Sequence, residues 1–170
     1  NKRLKTYSVD GKSTKLIKNE NKSNSMVQEK SVSVTTTKDG RILAGSFATN
    51  EDEAIPGGKV TEYDAEGNVL KTVSTSIVPH HIADIHGTMV AVSSIEDNTV
   101  CVYDLRSEKE RLRLGIEMPL GIFFDEPSYC LLIGHATEID GNGRAVPGSC
   151  VIEQYCIMSG TIVDRLVTGL

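Results

Sequence analysis

Leu4-Lys5-Thr6-Tyr7-Ser8, Val60-Thr61-Glu62-Tyr63-Asp64, Val100-Cys101-Val102-Tyr103-Asp104 and Ile152-Glu153-Gln154-Tyr155-Cys156 are one stretch written four times along the chain. Each sets a tyrosine three residues after a branched apolar residue. A short turn follows in every case (Asp10-Gly11, Ala65-Glu66-Gly67, Arg106-Ser107-Glu108, Ser159-Gly160), and then a second apolar run. Alternating apolar residues interrupted by a glycine or polar turn are the pattern of a β-hairpin. A hairpin that recurs at intervals of tens of residues signals a repeat architecture.

Working outward from these hairpins, each of the last three is preceded by another. The first unit reads as strands over residues 32–36, 41–46, 59–63 and 68–73, with Lys38-Asp39-Gly40 as its first turn. The second runs through 82–85, 89–93, 99–103 and 111–114, turning first at His86-Gly87. The third runs through 122–124, 130–134, 150–155 and 161–166, turning first at Asp125-Glu126-Pro127-Ser128. No helical periodicity of useful length competes, so the fold class is all-β. Four antiparallel strands per unit make one β-propeller blade.

The expected organisation is an outer hairpin of a preceding blade over residues 1–17, a polar linker over 18–31, and full blades over 32–76, 77–118 and 119–170. Propellers close with about 4–8 blades, so the chain is expected to be part of a larger one. Its lack of an initiating methionine agrees with a fragment. Open end blades would present apolar faces and invite self-association.

The spacing from first-strand anchor to second-strand end barely changes between units: Val34 to Ser46, Ile82 to Ser93, Ile122 to Gly134. Length changes fall between second and third strands and between units. In an up-and-down blade those two kinds of loop emerge at the same end, and loops on a rigid scaffold are where binding accumulates. The candidate binding residues on that end are His80, His81, Glu51, Asp52, Glu96, Asp97, Asn98 and Glu138. They are placed there by face alone.

These loops are acidic on balance, as is the chain, with a net charge of −5 over 170 residues. An acidic loop end repels phosphate and suits a basic or polar protein segment, with charge tuning encounter rate and specificity. A protein partner is therefore expected, RNA less so. No apolar run approaches the roughly 20 residues that span a bilayer, and no secretory signal region is evident. Cys101, Cys130, Cys150 and Cys156 lack C-x-x-C spacing, which points away from structural zinc. Cys101 and Cys130 lie in apolar strand-like runs, where a free cysteine behaves as a small hydrophobe, so reduced thiols in the cytoplasm are expected. Neither a catalytic residue nor a cofactor is expected. Asp140-Gly141-Asn142-Gly143 lacks the alternating oxygen ligands of a calcium loop and reads as a glycine-rich turn.

Pro79-His80-His81-Ile82-Ala83, Gly87, Val90-Ala91-Val92-Ser93 and Asp97-Asn98-Thr99-Val100-Cys101-Val102-Tyr103-Asp104 together resemble one NHL repeat. Pro119-Leu120-Gly121-Ile122 repeats its opening, and residues 1–11 resemble its closing hairpin. Ser93 stands where the family usually has aspartate, and His81 where it has glycine. The resemblance implies a six-bladed propeller from a larger protein, best known in the tripartite-motif ubiquitin ligases. There the propeller recognises substrate or RNA, and the zinc-binding and catalytic segments lie outside residues such as these. Some related propeller lyases hold a central metal with histidines. On that alternative, a metal-dependent propeller hydrolase or lyase, His80, His81 and His135 are the only local candidate ligands, His86 lying at the far end of its strand.

Overall fold

In a computed structural model, residues 4–7, 13–17, 27–50 and 53–167 are described. They form β1 (Leu4–Tyr7), β2 (Ser13–Ile17), β3 (Val27–Thr36), β4 (Ile42–Asn50), β5 (Glu53–Ala54), β6 (Gly58–Tyr63), β7 (Val69–Thr75), β8 (His81–Ile85), β9 (Met89–Ser94) and β10 (Thr99–Asp104). The series continues with β11 (Lys109–Gly115), β12 (Pro119–Asp125), β13 (Cys130–Ala136), β14 (Cys150–Cys156) and β15 (Ile162–Val167). All pairings are antiparallel, in the orders β3-β4-β6-β7, β8-β9-β10-β11 and β12-β13-β14-β15, with β1-β2 a separate hairpin and β5 added beside β4. These are three propeller blades. No helix among the described residues is long and apolar enough to cross a membrane.

The repeated tyrosine lies on the third strand of each blade, at Tyr63 in β6, Tyr103 in β10 and Tyr155 in β14. The two-residue period of β10 sorts its side chains between two cores. Val100 and Val102 join Ala83, Ile85 and Ala91 against Leu131, Ile133, Tyr155 and Ile157 of the third blade. Cys101 and Tyr103 turn the other way, with Ile82, Val90 and Val92, against Leu43, Val60 and Val73 of the first. The middle blade is thus covered on both faces. Truncating one of its fully buried side chains, such as Ile85, is expected to cost about 2–5 kcal/mol.

Among the described residues, both outer blades carry exposed apolar side chains. Phe123, Ile152 and Leu166 are exposed on the third, in register with Leu132 and Gly134 between them. Val34 and Val69 are exposed on the first.

The tight turns need left-handed backbone. His86 and Gly87 have φ of 53° and 64°, the two-residue hairpin geometry that matches strand twist. Arg41 of the first blade lies over this glycine, donates to its carbonyl oxygen at 2.9 Å and pairs with Glu62.

One expected boundary is corrected. The sequence predicts a polar linker over residues 18–31, but β3 begins at Val27 and pairs with the extended end of β4 through Val27↔Asn50 to Lys30↔Phe47. Glu29 fixes this extension by accepting from Ser46 Oγ at 2.8 Å and pairing with Lys59 at 3.0 Å. Residues 18–26 lie outside the described residues, as does the turn between β1 and β2.

Candidate functional site

The loop end of the middle blade is built by a clasp that ties the chain entering and leaving the blade to its β9–β10 loop. The Asp97 carboxylate accepts hydrogen bonds from the Val78 amide at 3.0 Å and Ser94 Oγ at 2.6 Å. His80 donates its own amide to the Ser93 carbonyl at 2.8 Å. Its Nδ1 accepts from the Ile95 amide at 3.2 Å, which places the ring proton of the neutral form on Nε2. The connector into the third blade hangs on Asn98, whose carbonyl accepts from Ile116 N at 3.0 Å and whose Oδ1 accepts from Met118 N at 2.9 Å. Asn98 adopts φ of 48° to do so, a conformation asparagine tolerates better than most residues.

The expected residues therefore divide by role. His80, His81, Glu96, Asp97 and Asn98 meet at one end of the middle blade, but Asp97, Asn98 and one ring nitrogen of His80 are occupied by the clasp. Glu96 stands outward with its side chain 52% exposed, 3.8 Å from His80 Nε2. His81 reaches the surface on the innermost strand, and partial desolvation of its ring, with His80 as the lesser cause, lowers its pKa. Glu138 is exposed at the same end of the third blade, in a loop closed by Val146 N and Ser149 Oγ, both donating to its carbonyl. Asp140 Oδ1 accepts from the amides of Asn142 and Arg144, each at 2.9 Å, so this glycine-rich turn is tied by its own aspartate. Glu51 and Asp52 lie outside the described residues.

Two histidines of the metal alternative are held by different partners. His135 is buried and bonded through Nε2 to Glu153 at 3.0 Å, while His80 serves the clasp. Among the described residues no group of three His, Cys, Asp or Glu side chains is arranged to hold an ion. Ser93 has a buried Oγ without a hydrogen-bond partner among the described residues.

A feature missed from the sequence lies at the opposite end. A cleft of about 440 Å³ opens where the inner strands β3, β8 and β12 finish, its apolar lining drawn from Ile82, Ala83, Ile122 and Phe123. Lys38 pairs with Glu126 across it, and His86 Nδ1 lies 3.4 Å from the other oxygen of Glu126. The His86 ring stacks on Tyr129 with centroids 5.4 Å apart and meets the edge of Phe124 at 5.1 Å. Asp84, which accepts from Gly87 N at 2.9 Å, has its pKa raised by burial. The signal was available: Lys38, His86 and Glu126 all belong to first turns of successive units, and equivalent turns of neighbouring blades converge near the axis.

No family model and no curated protein matches the chain in sequence. Solved structures share its fold. A protein of unknown function from Bacteroides caccae is similar over 96% of this chain and 53% of its own, with a TM-score of 0.66 at 14% identity. Sqt1 of Saccharomyces cerevisiae is similar over 81% of this chain and 35% of its own, with a TM-score of 0.58 at 11% identity. A chain of a nidogen/laminin complex is similar over 82% of this chain and 50% of its own, with a TM-score of 0.54 at 16% identity. Such identities establish fold alone, and the fold is that of propeller-like proteins. The chain spans about half the length of the first of these structures and less of Sqt1.

Proposed function

We propose that the chain is part of a non-catalytic β-propeller that recognises a protein partner, through a basic segment, at its loop end. The observation that carries this reading is the pair of exposed carboxylates, Glu96 and Glu138, held on the loops between second and third strands of neighbouring blades. The clasp fixes the loop carrying Glu96 so that its carboxylate is presented at little entropic cost. Glu51 and Asp52 belong to the equivalent loop of the first blade in sequence, which extends the acidic character. The nidogen/laminin assembly joins two proteins, a role of the class proposed here.

The NHL likeness gives the finer form of the proposal. The parent protein is of the tripartite-motif ubiquitin-ligase kind, this portion selects its substrate, and ligase chemistry resides in other segments. The exposed apolar faces of the first and third blades suit packing against further blades. RNA binding is the lesser reading, because carboxylates at the loop end oppose phosphate.

The test is a fluorescence-anisotropy titration of the chain against three probes: a lysine- and arginine-rich peptide, a matched acidic peptide, and a single-stranded oligouridine. Saturable binding to the basic peptide alone, weakening as salt rises, is the expected result. Binding to oligouridine in preference to the basic peptide would overturn the proposal.

A further inference from the structure

Cys130 opens β13, Cys156 closes β14, and the two are direct cross-strand partners. Directly opposed residues of an antiparallel pair project to the same face of the sheet. Their register is of the non-hydrogen-bonded kind. The Cys156 amide donates to Thr161 O at 3.0 Å, and its carbonyl accepts from Gly160 N at 2.8 Å. Both main-chain groups of Cys156 therefore point away from β13. In such a pair the α-carbons are roughly 4.5 Å apart and the side chains approach most closely. Disulfides need α-carbons about 4.4–6.8 Å apart, so this pair can be bridged without moving either strand.

The two thiols have different surroundings. Cys130 is buried, and its Sγ donates to Ser128 O at 3.3 Å. Cys156 is half-buried, and the Ser159 hydroxyl, with the amides of Ser159 and Met158, lowers its thiol pKa. Exposure and thiolate character select the sulfur that an oxidant reaches first. The remaining cysteines are poor competitors. Cys150 is at the opposite end of β14, opposed to Ala136. Cys101 is on another blade, its thiol pushed up to about 12 by burial.

We infer that Cys130 and Cys156 form a dithiol modification site that closes to a reversible cross-strand disulfide under peroxide. In the first step the Cys156 thiolate attacks an oxygen of hydrogen peroxide, the O–O bond breaks, and sulfenic acid and hydroxide form. In the second, the Cys130 sulfur attacks the sulfenic sulfur. The S–S bond forms, and the Cys130 proton leaves with the hydroxyl as water. An external thiol reverses the bond by exchange. Asp125, the cross-strand partner of Cys130, lines the axial cleft, so the bridge ties a wall of that cleft to β14.

Peptide mapping after peroxide treatment and alkylation tests the inference on the intact chain. The expected result is loss of two hydrogens, a linked peptide joining Cys130 to Cys156, alkylated Cys101 and Cys150, and full reversal by dithiothreitol. In Cys130→Ser the Cys156 sulfenic acid should persist and be trapped by dimedone. Recovery of wild-type chain with Cys156 oxidised to sulfinic acid while Cys130 is still alkylated overturns it. So does a bridge to Cys101 or Cys150.

Discussion

His135 Nε2 lies 3.0 Å from Glu153 Oε2, across adjacent strands of the third blade and on the face it turns to the second. Tyr155 donates to the same carboxylate oxygen, and Arg165 approaches the other at 3.5 Å. Burial opposes ionisation of Glu153, but the hydrogen bonds from Tyr155 and His135 outweigh it and hold the carboxyl below its ordinary value. A depressed folded-state pKa contributes stability that is complete above the unfolded value of about 4.5 and is lost as pH falls through the folded one. Thermal melts should therefore lose stability below about pH 4.5, and Glu153→Gln should lose less over the same interval. At neutral pH, Glu153→Ala should cost about 1–3 kcal/mol, because two buried donors lose their acceptor. Parallel pH profiles for wild type and Glu153→Gln would contradict the assignment.

Gly58 separates the first two blades by the width of a missing methyl group. A Cβ there would fall 2.4 Å from Pro79 Cδ and 2.7 Å from the Ser46 carbonyl oxygen. Pro79 is fully buried and Ser46 is strand backbone, so neither yields cheaply. Gly58→Ala is expected to cost about 1–3 kcal/mol. Gly141, with open space around its Cα and no positive φ, is the control, and Gly141→Ala should stay within about 0.5 kcal/mol of wild type. Chemical denaturation of both variants measures the contrast.

The clasp separates neighbouring residues that look alike in sequence. Asp97→Ala removes the acceptor for Val78 N and Ser94 Oγ and should destabilise by about 1–3 kcal/mol. Glu96→Ala, one residue earlier and exposed, should change stability by less than about 0.5 kcal/mol. At Asn98, glycine and alanine both lose the bond to Met118 N. Glycine alone keeps the left-handed backbone at low cost, so Asn98→Ala should be the less stable by about 1 kcal/mol. Equal melting temperatures for the two Asn98 variants would remove the backbone part of this account.

Much of the fold could be read from residues. Tyr63, Tyr103 and Tyr155 mark third strands because a period of two with one face against each neighbouring blade leaves a regular apolar signature. The start of β3 could not be read, since Gln28 to Ser31 is polar and becomes a strand only through pairing with β4 and the Glu29–Lys59 contact. The loop end was found from spacing, but not the division of labour within it. Asp97 and Asn98 bind amides at Val78 and Met118, some twenty residues away, and nothing local distinguishes a carboxylate that meets such a partner from one facing water. The cleft was missed because its charges, Lys38, His86 and Glu126, come singly from three separate turns.

The most direct test of loop-end recognition compares two double charge reversals with the same change in net charge. One is Glu96→Lys with Glu138→Lys at the loop end. The other is Glu66→Lys with Glu108→Lys, in exposed turns at the opposite end of the first and second blades. The measurement is affinity for the same basic peptide by anisotropy, with melting temperature recorded alongside. The account predicts at least a tenfold loss for the first pair, about 1.4 kcal/mol, and less than about twofold for the second, with both variants folded. Equal losses in the two variants would show that net charge alone draws the peptide, and would contradict a recognition site at the loop end.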